Sequence, residues 1–197
     1  MTKYNIISFD IGIKNLSFCV LDYNTEDTSY TIKEWEILDL TMEGKINVKD
    51  FNMVSKSLFE HMSERFPVLE DNTIVLIENQ PSMRNPIMKT IQIMIYSWFA
   101  IRSKDMNVNT VIKLFSASNK LKVKRKNMIS DITKQENNKY KRNKKSAVEI
   151  AHYYLQNVIK DDEYIRIFEK HKKRDDLADC FLQAIYLCEN IGCVIII

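Results

Sequence analysis

Glycine and proline are scarce, with three of each in 197 residues. That leaves no composed linker and no Gly-rich loop of the kind that cradles phosphates, which argues against the two-lobed ATPases and sugar kinases. Cysteine is limited to Cys19, Cys180, Cys188 and Cys193, with no CxxC pair and apolar neighbours. Reduced thiols in a reducing compartment fit this better than a disulfide framework or a zinc site. The three histidines (His61, His152 and His171) show no metal-ligand spacing. Long apolar runs are missing too: Ile91–Ile101 contains Gln, Tyr and Ser and is about half of a membrane span, so no membrane partner is expected. Met1–Phe9 carries one Lys and runs into Asp10, so no signal or transit peptide is expected.

What is present is ordinary globular composition, 45% hydrophobic and 28% charged, of a size for one domain over residues 1–197. The net charge of +3 hides an asymmetry. Between Lys120 and Lys145 stand eleven basic and two acidic residues, a net of +9, which leaves −6 for the rest of the chain. A basic block on an acidic protein is a footprint for a polyanion, although a solvated loop can look the same. Tyr140 is the block's one aromatic, so phosphate contact to duplex DNA is expected rather than stacking on unpaired bases.

Three β-rich runs open the chain, at Tyr4–Phe9, Leu16–Tyr23 and Tyr30–Leu40, separated by segments of hairpin length. Helical spacing of apolar residues follows over Val48–Phe66, ended by Pro67. Thr73–Ile77 is a β-branched run short enough for a strand buried on both faces. Pro86–Asp105 reads as a helix, Val108–Phe115 as a fifth strand, and helices are expected near Lys144–Ile159 and Asp175–Ile191. Three meandering strands followed by crossover units predict an α/β fold: a mixed five-stranded sheet with helices on both faces.

Carboxylates stand at three places in this pattern. Asp10 ends the first strand, with Gly12 two residues on. Glu78 follows the apolar run Ile74–Ile77 at the carboxyl end of a strand, where open sheets place their chemistry. Asp175, Asp176 and Asp179 open the last helix; Asp176 and Asp179 lie roughly 60° apart around its axis, with Asp176 bordering the apolar face. Acids are also common in first turns for reasons of helix dipole alone, a reading that suits Asp175 best. If these acids converge, their repulsion calls for divalent cations. Oxygen-only ligands suit Mg²⁺ or Mn²⁺, two per site, the arrangement that serves phosphodiester hydrolysis.

Asp10-Ile-Gly-Ile-Lys-Asn15, Ile77-Glu-Asn-Gln-Pro81 and Lys172-Lys-Arg-Asp-Asp-Leu-Ala-Asp179, in this order, resemble the RuvC-type, RNase H-like Holliday junction resolvases, in particular their poxvirus and mitochondrial branch. The resemblance covers roughly Tyr4 to Leu187 and is most specific over Ile77–Phe99. It implies an RNase H-like nuclease domain with a basic insertion at about 120–145, acting as an Mg²⁺-dependent homodimer on four-way or other branched DNA. No small-molecule substrate is implied. Carried over by position, Asp10, Glu78, Asp176 and Asp179 are the catalytic and metal-binding carboxylates, with Asp175 a competitor for Asp176. Lys120, with Lys122 as its rival, is the basic residue that contacts the scissile phosphate. Expected DNA contacts are Lys14, Asn15, Arg84, Lys120, Lys122, Lys124, Arg125, Lys126, Lys141, Arg142 and Lys144. The lack of a leader favours a virus-encoded protein working in the host cytoplasm. Alternatives are a ribonuclease acting on RNA–DNA hybrids and a non-catalytic DNA-structure binder. Dimer contacts are expected on helix Asn85–Arg102, through Met88, Ile95, Trp98 and Phe99.

Overall fold

A computed structural model describes residues 2–83, 85–124 and 130–191. The three opening runs form β1 (Lys3–Asp10), β2 (Leu16–Asn24) and β3 (Ser29–Leu38), an antiparallel meander. Helix α1 (Phe51–Arg65) begins where the Asp50 side chain accepts the Met53 amide at 3.1 Å, and it stops ahead of Pro67. Strand β4 (Thr73–Glu78) then enters beside β1 in parallel. Helix α2 (Pro86–Met106) has Asn85 as its cap and Pro86 in its first turn, where a missing amide hydrogen costs nothing. Strand β5 (Thr110–Phe115) joins β4 in parallel and completes the order β3-β2-β1-β4-β5.

The expected mixed sheet is therefore observed. Residues 117–122 form a 3₁₀ turn. Beyond them come α3 (Asp131–Lys134), α4 (Lys139–Tyr154) with a π-helical extension to Ile159, α5 (Asp162–Lys170) and α6 (Arg174–Glu189). Two differences from expectation have simple causes. Helix α4 starts five residues earlier than Lys144 because Asn138 caps it, accepting the Lys141 amide at 3.1 Å. Helix α5 was not expected at all; Asp161 caps it, and Phe168 is the one residue it buries fully.

Alternation along the strands sorts the two faces. Ile7, Phe9, Val75 and Ile77 point toward α1 and α2, in a core that includes Phe18, Leu58, Phe66, Ile91 and Phe99. Ile6, Cys19, Ile74 and Leu76 point the other way, onto α4, α5 and α6. By the same alternation Asp10 and Glu78 fall on the α6 side.

The expectation for a partner-binding face on α2 needs correction. Ile95 and Phe99 are wholly buried among Phe9, Phe66 and Ile91, and Met88 and Trp98 pack against the same core. The outward face carries Ile93, Tyr96 and Ile101 instead. Helix α2 has apolar residues on most of its circumference, so spacing alone does not separate those that meet the sheet from those left outside. Among the described residues no helix is long and apolar enough to cross a membrane.

Candidate active site

Each acid reaches the site by a different route. Asp10 is the last residue of β1, and the register Phe9 to Ile77 sets it beside Glu78 at the carboxyl ends of two parallel strands. The chain then turns sharply through residues 11–15. A Cβ on Gly12 would collide with the backbone carbonyl of Asn15, so only glycine fits there. Asp176 and Asp179 arrive on α6, which is fixed across the sheet by three long-range hydrogen bonds. Ser17 Oγ donates to the Asp176 carbonyl at 2.7 Å, Trp35 Nε1 to the Leu177 carbonyl at 3.1 Å, and Gln183 Nε2 to the Phe9 carbonyl at 3.4 Å.

Together Asp10, Glu78, Asp176 and Asp179 line one cleft of about 620 Å³, with Lys120, Lys144 and Tyr140 on its walls. Lys120 comes from the 3₁₀ turn after β5. Its ammonium lies 2.5 Å from Asp179 Oδ2 and 3.7 Å from Glu78 Oε1. One ammonium thus serves several carboxylates. Burial raises the Asp10 carboxyl well above the usual range, and its hydrogen bond to Glu78 and the Glu78 and Asp179 charges push the same way, with Lys120 opposing. Asp179 is pushed up to about 6 by burial, against Lys120 and with Glu78 and Asp176. Asp176 is raised by burial and by Asp175. Burial alone would lower Lys120, but Asp179, Asp10 and Glu78 outweigh it and raise its pKa.

Asp175 goes elsewhere. It pairs with Lys144 and lines a neighbouring cleft with Lys172 and Arg174; the Lys144 contact outweighs burial and holds its carboxyl below the usual range. Lys122 also points away, donating to Asn119 Oδ1 at 2.8 Å. Lys14 and Asn15 sit in the turn after Asp10, Lys14 exposed and Asn15 half-buried. Lys141 and Arg142 lie in the first turn of α4, and Lys124 is exposed, its amide held by Glu189 at 2.7 Å. Arg84, Arg125 and Lys126 lie outside the described residues.

Sequence reasoning missed the side chains that orient Glu78. Gln80 Nε2 donates to Glu78 Oε2 at 2.7 Å. The Gln80 amide in turn donates to Gln92 Oε1 at 2.7 Å, and Lys89 Nζ donates to the same oxygen at 3.2 Å and to Asn79 Oδ1 at 3.1 Å. Gln92 is fully buried, in the middle of the apolar stripe of α2. A lone amide among Ile91, Met94 and Ile95 was the available signal.

The donor set is carboxylate oxygen throughout, and the negative charge exceeds what Lys120 neutralises. That chemistry fits Mg²⁺ or Mn²⁺. Among the described residues no three His, Cys, Asp or Glu side chains already form a closed ligand set, and here the Lys120 ammonium lies between the acids.

The chain matches the family described as mitochondrial resolvase Ydc2 / RNA splicing MRS1 over residues 6–82 and 69–191. It is 33% identical, over 147 residues, to an uncharacterized protein of Acanthamoeba polyphaga mimivirus; the match takes in 72% of this chain but 34% of that relative's length. In three dimensions it is similar to the yeast mitochondrial Holliday junction resolvase Ydc2, with a TM-score of 0.64 and 18% identity, covering 94% of this chain and 79% of that one. It is similar as well to the Fowlpox virus resolvase solved with its substrate Holliday junction DNA, with a TM-score of 0.61 and 19% identity, covering 95% and 98%. At these identities the likeness is one of fold, which is RNase H-like.

Proposed function

The chain belongs to the family of the mitochondrial resolvase Ydc2 and the RNA-splicing protein MRS1, and on that footing we propose that it is an endodeoxyribonuclease that cuts four-way DNA junctions with divalent metal. The observation that carries this reading is the single cleft shared by Asp10, Glu78, Asp176, Asp179 and Lys120. Burying mutually repelling carboxylates costs stability, so folding alone does not account for them. The family description also names a splicing protein; the acid cluster favours the nuclease branch, because RNA binding needs no such cluster.

Asp10, Glu78, Asp176 and Asp179 would hold two Mg²⁺ or Mn²⁺ ions. Such ions activate the attacking water and stabilise the leaving oxygen in phosphodiester hydrolysis. The protein's own contributions are distinct. Gln80 fixes one Glu78 oxygen and so aims the other into the cleft. Lys120, already among the acids, is placed to offset charge that builds on the phosphate. Lys14, Asn15, Lys139, Lys141 and Arg142 lie where flanking phosphates approach, supplying affinity without sequence readout. Asp175, tied to Lys144, lines the neighbouring cleft and is left out of the metal site.

The unit we propose is one nuclease domain carrying the basic segment 120–145. It works as a homodimer, since two equivalent strands of a symmetric junction call for two symmetry-related sites. The outward face of α2, with Ile93, Tyr96 and Ile101, supports that assembly. The mimivirus and fowlpox relatives support a virus-encoded protein; action at the viral replication site in the host cytoplasm is part of the same proposal.

The test is a cleavage panel in Mg²⁺ with a labelled mobile four-way junction, linear duplex and an RNA–DNA hybrid. Symmetric junction nicking that chelator abolishes is expected. Asp10→Asn should bind the junction yet cut it several orders of magnitude more slowly. Cleavage confined to the hybrid, or an Asp10→Asn protein that still cuts, would overturn the assignment.

A further inference from the structure

We propose that Tyr140 is a stacking platform for an unpaired DNA base at the branch point, beside the phosphate to be cut. The inference deepens the reading above, on which it rests for the identity of the substrate. Tyr140 stands in the first turn of α4, which is the wall of the acid cleft. It is 68% exposed, against 36–39% for Phe51, Phe59 and Tyr96. Its sequence neighbours are Lys139, Lys141, Arg142 and Asn143, so no apolar core draws the ring in. A large aromatic left this far in water contributes little to the fold.

The ring is nevertheless held. Lys144, one turn along the same helix, places its ammonium over the ring at 5.1 Å from the centroid. Lys144 is itself fixed by its ion pair with Asp175. The ring is therefore held by a pinned cation, which also hydrogen-bonds to its hydroxyl, and this lowers the entropy lost when a base stacks on it. The ring shares its cleft with Asp10, Glu78, Asp176 and Asp179, so a group stacked on it lies next to the scissile position.

Bases are what such a platform takes, because each has a π-face and stacking tolerates any sequence. Inside continuous duplex both faces of a base are already occupied by its neighbours. A base at a strand exchange or a break can offer one. Tyr140 would thus favour branched over linear DNA, while the surrounding Lys and Arg hold both alike. The expectation from sequence, that this lone aromatic argues against stacking, gave weight to the number of rings and none to their place.

The experiment measures binding, in chelator so that nothing is cut, to a junction carrying 2-aminopurine at the branch point and to a linear duplex of the same sequence. Stacking quenches 2-aminopurine fluorescence. Wild-type protein should quench it; Tyr140→Ala should lose the quenching and on the order of 10-fold or more in junction affinity, with duplex affinity unchanged. Tyr140→Trp and Tyr140→Phe should keep both. Equal losses on junction and duplex, or quenching that survives in Tyr140→Ala, would overturn the platform. So would a Tyr140→Phe protein as weak as Tyr140→Ala, since the hydroxyl would then be the contact. Mg²⁺-dependent nicking by the wild type is read separately. Nicking with a silent Tyr140→Ala sinks the platform alone; quenching that needs Tyr140 without nicking sinks the nuclease alone.

Discussion

Replacing Lys120 by Met removes one ammonium while keeping an unbranched stem of similar length. The side chains involved are 16% (Lys120), 11% (Glu78) and 17% (Asp179) exposed. At that burial a pair about 4 Å apart is worth roughly 4 kcal/mol at an effective dielectric near 20. Deleting one partner of a buried pair typically costs about 3–5 kcal/mol. Proton uptake by the acids offsets part of this, so about 3 kcal/mol is expected at pH 8 in chelator. For a chain of this size that lowers Tm by roughly 6–12 °C. The pH dependence has a definite sign. Asp179, at about 6, binds its proton more tightly folded than unfolded; the stability this brings is complete below the ordinary carboxylate range and is lost as pH rises through 6. Without Lys120, which opposes that rise, the loss extends to higher pH and the gap between mutant and wild type widens. Thermal melts in chelator at pH 5, 6.5 and 8 should show a deficit that grows with pH and shrinks at pH 8 when Mg²⁺ is added. An unchanged Tm at pH 8, or an equal deficit at pH 5 and pH 8, would refute the reasoning and leave packing as the cause.

Three further outcomes are expected. Phe99→Ala, which empties a fully buried site beside Phe9, Phe66 and Trp98, should cost about 3–5 kcal/mol in urea denaturation; a loss under about 1 kcal/mol would mean the α2 face is not core. Glu34 is raised to about 7 by burial and by its hydrogen bond to Glu36, against Arg65, so its contribution to stability is present at pH 5 and fades as pH rises through 7. Glu34→Gln should therefore flatten the melting profile between pH 5 and 8, and parallel profiles would count against the pairing. Lys141→Ala with Arg142→Ala should lower the slope of log affinity against log salt by about 2 for junction DNA; an identical slope would remove the first turn of α4 from the DNA path.

Much of the fold was legible because its signals are local. Three alternating runs, an unbroken β-branched run and a proline-stopped amphipathic stretch each encode their own geometry, and the crossover order follows from connection length. The strand-end acids were legible for the same reason: a strand fixes which residue stands at its tip, and Gly12 marks the turn behind Asp10. The basic block was equally plain, since charge is read directly.

Tertiary structure decided the rest. Whether Asp175 or Asp176 faces the cleft depends on how α6 is rotated, and that is set by its hydrogen bonds to Ser17, Trp35 and the Phe9 carbonyl, across as many as 174 residues of chain, together with Lys144, which claims Asp175. Lys120 and Lys122 differ by two positions in a 3₁₀ turn, where a rotation of roughly 240° separates them; only docking against Asp179 tells them apart. The Gln80–Gln92–Lys89 network joins residues from a strand end and a helix interior. The outward side of α2 is chosen by which apolar stripe meets the sheet. In each case several arrangements satisfy the local rules equally, and long-range contacts select one among them.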